Sequence, residues 1–339
     1  MRRFLFYISQ PYSIAILRPL QEAIRARGDE ACWFLERVEP SALDPGEKVL
    51  STVAEVKEYS PEAVFVPGNW VPDFFPGVKV QVFHACGVGK KGHFRIRGFF
   101  DLYCTHGVST TAPFQELADQ HGHFHVIETG WPKHDPLFRG QAVERADGRP
   151  RVLYAPTFSP SLSSAPALCE TIEKISRAGA WDWTVKFHSK MNPDWAAQYT
   201  AIQNDNLRVS EDHDLIPLLR RADVVVSDTS SVIYEAILAG LPVVTFRTDW
   251  PGEHLVDVSE PEDLEAAVAA ALEHPEAFME ASGRLVAEMH PHVDGRASER
   301  VLEATDRLVA GELPPLKPKP LNLWRRWQAR KRLGYYRLR

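Results

Sequence analysis

The sequence predicts an α/β protein with parallel sheets covered on both faces, divided into two similar halves. Three observations carry that expectation. Short apolar, β-branched runs alternate with amphipathic stretches along most of the 339 residues, the pattern of strand–helix–strand units. The pattern pauses in a polar stretch at 139–150 and restarts at Arg151. Residues 222–246 hold one such unit entire. There Asp223 to Ser227 reads as a buried strand, and Asp228, Thr229, Ser230 and Ser231 supply helix-capping side chains. Val232, Ile233, Ala236 and Ile237 follow at helical spacing. Gly240 then ends the helix, Pro242 forbids its continuation, and 243–246 is the next strand.

In chain order, 4–9 predicts a strand, 14–27 a helix and 31–35 a second strand. A helix over 49–59 and a short strand over 63–67 come next. The run 79–84 reads as a strand ending on His84, followed by a glycine-rich basic segment, 87–93. A strand at 101–105, a helix at 110–121 and a strand at 124–128 complete the first half. The second half reads as a strand at 151–154, a helix at 168–178, and a strand at 183–188 ending on His188. A helix at 195–203, a strand at 207–210 and a helix at 215–221 lead into the unit already described. Three amphipathic helices, over 261–272, 275–288 and 295–309, finish it. Two Rossmann-like domains facing across a cleft is the economical arrangement, with bounds 1–145 and 146–312 and a basic aromatic tail at 313–339.

Composition excludes several classes. The net charge of −6 hides nine basic residues and no acidic one after Pro315, so the body is acidic and unsuited to nucleic acid. The four cysteines form no Cys-x-x-Cys pair, which fits reduced thiols in the cytoplasm and no zinc site. The apolar start stops at Ser9-Gln10-Pro11, too short for an export signal or a membrane span. His121, His123 and His125 alternate and could line a strand face as metal ligands, but no carboxylate or cysteine partner is near in sequence.

Ligands of open parallel sheets sit beyond the carboxyl ends of the strands, which places His84, His188 and the 228–231 segment at the expected cleft. A histidine there can take a proton from a hydroxyl near neutral pH. Lys186 and His188 would add donors and positive charge, and the hydroxyl-rich helix opening suits an anion. Together they make a site for a diphosphate and for charge growing on a leaving phosphate. Gly87, Gly89 and Gly92 permit close backbone approach, while Lys90, Lys91, Arg95 and Arg97 would attract an anionic ligand. Each feature also has a structural explanation: a capped helix in any α/β protein, or an exposed histidine at a strand end.

Taken together, these segments resemble the CDP-glycerol glycerophosphotransferase family of teichoic-acid primases and polymerases, over about 78–300. The resemblance rests on Gln81-Val-Phe-His84, the segment 87–107, Gly130-Trp-Pro-Lys-His-Asp135, Leu153-Tyr-Ala-Pro156-Thr157, Lys186-Phe-His188, Ser227-Asp-Thr-Ser-Ser-Val232 and 294–300. It implies a GT-B fold and transfer of glycerol phosphate from CDP-glycerol to a hydroxyl of an envelope glycan or lipid-linked acceptor, with release of CMP. His84 matches the proposed general base. His188 matches the histidine that stabilises the diphosphate or protonates the leaving group. Ser230 and Ser231 match the serines that hold phosphate. Asp228, Thr229, Glu235, Pro156 and Thr157 are expected around the donor, and no metal or other cofactor is implied. Two departures stand out: Ala85 follows His84 where the family often has glycine, and Thr229 stands where an aromatic is common. Either could signal a different polyol or sugar donor, such as CDP-ribitol or a UDP-sugar. A catalytically inactive nucleotide-binding homologue is the rival from another class.

The tail interleaves Leu321, Leu323, Trp324, Trp327, Leu333, Tyr335, Tyr336 and Leu338 with its basic residues. It suits either an amphipathic segment on an anionic membrane surface or a final helix packed back across the first domain. The first alternative makes the protein peripheral at the inner face of the cell membrane.

Overall fold

The computed structural model describes residues 1–84, 93–139, 148–212 and 214–336. The chain divides into two compact units, residues 1–136 with 288–339, and residues 137–287. Both are α/β.

The first unit is built from β1 (Arg3–Ile8), α1 (Ser13–Ala26), β2 (Glu30–Leu35), α2 (Val53–Tyr59), β3 (Ala63–Val66), β4 (Val78–Gln81), β5 (Leu102–Thr105), α3 (Val108–His121) and β6 (His125–Glu128). A short α4 (Asp135–Phe138) ends this stretch. The sheet is wholly parallel, in the order β2-β1-β3-β4-β5-β6. Alternation along each strand sends successive side chains to opposite faces. Phe4, Phe6, Phe65, Val80 and Cys104 meet Leu17, Leu20 and Ile24 of α1 on one face. Leu5, Tyr7, Val64, Val66 and Tyr103 meet Val56 of α2 and Phe114 of α3 on the other. Burying both faces is why these strands read as continuous apolar runs.

The second unit contains β7 (Arg151–Tyr154), α5 (Ala165–Ala178), β8 (Asp182–Lys186), α6 (Pro193–Ala201), β9 (Leu207–Ser210), α7 (Ile216–Leu219), β10 (Val224–Ser227), α8 (Val232–Leu238), β11 (Val243–Phe246), β12 (Val256–Val258), α9 (Leu264–Leu272) and α10 (Glu276–Met289). Its parallel sheet runs β12-β11-β10-β7-β8-β9. Val152, Tyr154, Val185, Val224 and Val244 pack against α5 and α9 on one face, and Leu153, Val225 and Val243 against α7 and α8 on the other.

The chain then returns to the first unit. There α11 (Ala297–Val309) places Val301 and Leu302 in the core beside α1. The final helix α12 (Leu323–Leu333) brings Leu333 and Tyr335 onto the opposite face. The division therefore differs from the sequence expectation: 288–312 belongs to the first unit, and the tail packs back across it. The crossing near 136 falls just before the polar stretch.

Candidate functional site

In the second sheet β7 lies between β8 and β10, so the winding direction reverses between β7 and β10. Such switch points leave a crevice beyond the strand ends. The two loops that leave it are Ala155-Pro156-Thr157-Phe158 and Asp228-Thr229-Ser230-Ser231, the segments singled out in the sequence. Asp228 joins them. One carboxylate oxygen accepts the Thr157 N–H at 2.8 Å, and the other accepts both the N–H and the hydroxyl of Ser164 at 2.8 Å. Asp228 is fully buried. Burial pushes its pKa up, and the three donors partly offset the shift. Its carboxylate thus braces the crevice from below, with both oxygens already engaged. Pro156 is buried, and the carbonyl of Ala155 accepts the Ser227 hydroxyl at 2.7 Å.

Above this brace the chain turns into α8, which is seven residues long. Thr229 is buried, and its hydroxyl accepts the Asp249 N–H at 2.9 Å. The Ser230 hydroxyl accepts the Val232 N–H at 3.3 Å. Ser231 holds the N-cap position with helical dihedrals and makes no side-chain cap bond. Among the described residues the N–H groups of Thr229 and Ser231 and the Ser231 hydroxyl have no partner. Three donors at one helix opening can receive an anion. Glu235 is buried one turn along α8.

The strand expected to end on His188 stops at Lys186. A turn closes it, with the His188 carbonyl accepting the Met191 N–H at 2.9 Å. His188 is exposed, and its ring stacks on Phe158 at 4.4 Å with 29° between planes. The Lys190 N–H donates to Nδ1 at 3.1 Å, so Nδ1 carries the lone pair and the neutral ring bears its proton on Nε2. Lys186 donates to the Phe187 carbonyl at 2.7 Å. Burial lowers its pKa, against the pull of the Asp212 and Asp214 carboxylates. Phe158 was missed in the sequence; the available signal was its place directly after the Leu153–Thr157 motif at a strand end.

In the first unit β4 ends at Gln81, three residues short of His84. The cause is Phe83, which has φ 59°, a left-handed conformation unusual for a bulky residue. Phe83 is buried, stacks on His93 at 5.4 Å and 19°, and its carbonyl accepts the Trp131 indole N–H at 3.3 Å. These contacts hold the turn that presents His84 at the surface, 6.3 Å between ring centres from Tyr12. Tyr12 follows β1 at this sheet's own switch point, between β1 and β3. Gly87, Lys90 and Ala85 lie outside the described residues. Arg95 is exposed, and its carbonyl accepts the Asn69 amide at 2.8 Å.

Other motif residues do structural work in the first unit. Asp135 is buried and accepts the N–H groups of Ala297 and Ser298 at 2.7 and 2.8 Å, capping α11. The Trp131 N–H donates to Nε2 of buried His290 at 2.8 Å. A Cβ on Gly107 would meet the Met289 carbonyl oxygen at 2.5 Å. These motifs fasten the returning chain to the first sheet. His121 and His123 pack ring to ring at 5.4 Å. Among the described residues no group of three or more His, Cys, Asp or Glu is placed to hold a metal ion.

No curated protein matches the chain in sequence. The family model for CDP-glycerol:poly(glycerophosphate) glycerophosphotransferase matches residues 109–305. Among solved structures, the wall teichoic acid polymerase TagF superposes with TM-score 0.66 at 14% identity, covering 92% of this chain and 90% of that one. A CDPG-soaked TagF variant gives 0.65 at 13%, covering 93% and 90%. A UDP-GlcNAc 2-epimerase from Neisseria meningitidis, bound to UDP-GlcNAc, gives 0.62 at 12%, covering 91% and 100%. At such identities these structures speak for the fold alone, the GT-B type that the sequence predicts. With more than half of its length matched, from α3 through the switch-point crevice to α11, the chain belongs to the CDP-glycerol:poly(glycerophosphate) glycerophosphotransferase family.

Proposed function

We propose that the protein transfers glycerol phosphate from CDP-glycerol to a hydroxyl of a cell-envelope glycan or lipid-linked acceptor. The acceptor oxygen attacks the glycerol-bearing β-phosphorus, and the bond from that phosphorus to the bridging oxygen breaks. The hydroxyl proton passes to His84, and CMP leaves with the bridging oxygen. His188 stabilises the diphosphate or protonates the leaving group. Its neutral tautomer, with the proton on Nε2, leaves that N–H to donate to a phosphate oxygen. The donors at Thr229, Ser230 and Ser231 receive phosphate oxygens, and Lys186 adds positive charge beside them.

The observation that carries this reading is the helix opening at the β7/β10 switch point, with unpartnered donors braced by Asp228, in a chain of this family. The tail completes the proposal. It has Leu321, Trp324, Trp327 and Tyr336 exposed among basic residues, which supports peripheral attachment to an anionic membrane surface. No helix among the described residues is long and apolar enough to cross a membrane.

The test is CMP release from CDP-glycerol against extracted envelope fractions. Replacing His84 by Ala should lower turnover by about 100-fold or more with the melting temperature unchanged. Turnover like that of the unaltered protein would remove His84 as the base. A thermal-shift series with CDP-glycerol, CDP-ribitol and UDP-sugars identifies the donor, since the true one stabilises by mass action.

A further inference from the structure

The tail's cations fall into two groups. Most are neutralised by the first unit: Arg330 by Asp73 at 2.9 Å, Arg332 by Glu36 at 2.9 Å and Lys319 by Asp101 at 2.7 Å. Arg325 pairs with no carboxylate among the described residues, and neither do Arg95 and Arg97 of the segment it faces. Instead the Arg325 guanidinium donates to the Asn322 amide oxygen at 3.0 Å. Asn322 in turn donates to the Arg97 carbonyl at 2.8 Å, tying the start of α12 to that segment. The three arginines line a single pocket of about 540 Å³ with Leu323, Trp324 and Gln328. Nε of Arg97 is buried without a partner. Burial lowers the pKa of Arg97, and repulsion from Arg95 and Arg325 lowers it further.

Like charges gathered around a cavity cost energy unless an anion joins them. Guanidinium groups bind phosphate oxygens in a fork that lysine cannot match. The rim has an apolar character that a soluble anion does not need. Leu321, Leu323 and Trp324 are 70%, 71% and 66% exposed, and Trp324 stacks on Trp327 at 4.9 Å. Tryptophan on such a rim suits the boundary between headgroups and acyl chains.

We propose that Arg95, Arg97 and Arg325 form a pocket for the phosphodiester headgroup of an anionic lipid, with Leu321, Leu323 and Trp324 entering the bilayer surface around it. This rests on the membrane attachment proposed above and assigns it a defined headgroup site.

The test uses the full chain and vesicles of phosphatidylcholine, alone or mixed with phosphatidylglycerol. Three proteins are compared by sedimentation: the unaltered chain, Arg95→Gln/Arg325→Gln, and the control Arg177→Gln/Arg284→Gln, which removes the same charge from exposed arginines of the second unit. Far-UV circular dichroism and melting confirm folding, and Arg97→Gln provides a second single-site variant. The unaltered chain and the control should bind mixed vesicles alike. The pocket variant should bind ~30-fold more weakly, from about 1 kcal/mol per basic residue near an anionic surface. Equal binding by the pocket variant, or an equal loss in the control, overturns the pocket and leaves surface attachment standing. No binding of mixed vesicles by the unaltered chain overturns both. Soluble glycerophosphoglycerol that saturates Trp324 fluorescence, in a chain that ignores vesicles, overturns the lipid as the source of the phosphodiester.

Discussion

Replacing Asp228 by Ala separates a bracing role from a ligand-binding one. The carboxylate is fully buried and receives three hydrogen bonds from Thr157 and Ser164. Alanine strands two backbone N–H groups, while the Ser164 hydroxyl keeps Tyr154 as a partner at 2.8 Å. A stranded buried donor costs about 1–3 kcal/mol, so the gross loss is about 4 kcal/mol. Relief from burying a carboxylate, the cause of its raised pKa, returns part of this. A net loss of about 3 kcal/mol remains, or roughly 6–12 °C in melting temperature for a unit of this size. Asn keeps one acceptor oxygen but sets an NH₂ against a donor, so it should fall between the two. Calorimetry or denaturant melts give the stability, and CDP-glycerol titration gives the affinity. The bracing argument fails if D228A melts like the unaltered protein yet loses CDP-glycerol binding. Asp228 would then be a ligand contact, as the sequence alone suggests.

Stability should fall in mild acid. Burial holds the pKa of His290 down at about 4, helped by the charges of His292 and Arg300 and opposed by Asp294. Burial also holds His106 and His134 well below the ordinary value, each further lowered by His290. Because the unfolded rings bind protons more readily, the stabilisation is complete above about pH 6.5 and is lost as pH falls toward 4. His290 alone accounts for about 3 kcal/mol, and a flat melting temperature from pH 7 to 4.5 would contradict this. Gly107→Ala should cost about 2–3 kcal/mol although its φ is extended at −163°, because the added methyl meets the Met289 carbonyl. A chemical-denaturation midpoint equal to that of the parent would show that the backbone yields there. Asp135→Ala should cost about 3 kcal/mol by uncapping α11. Limited proteolysis should then cut first between residues 288 and 312, and an unchanged cleavage pattern would count against the cap.

Much of this protein was legible locally. Strand alternation, proline and glycine punctuation and the hydroxyl cluster at 228–231 depend on neighbours a few residues apart, and they place nearly every element of both sheets. The strand β12 escaped because three residues, Val256 to Val258, carry too little pattern. The strands expected to reach His84 and His188 stop early for reasons outside them. Phe83 is held left-handed by an aromatic stack and by Trp131, and a turn to Met191 closes the other.

Pairings distant in sequence were decided only by the tertiary structure. The ligand-like Asp228 became a brace because Thr157 and Ser164, 71 and 64 residues away, bring their donors to it. The stretch 288–336 went back to the first unit because Asp135 and Trp131 offer partners to Ala297, Ser298 and His290. Charge followed the same rule. Nine tail cations look alike in the sequence, yet the fold supplies carboxylates to some and gathers Arg325 with Arg95 and Arg97 around an open pocket. A residue's own pattern determines its secondary structure, but whether its charge or donor is satisfied depends on what the rest of the chain brings to it.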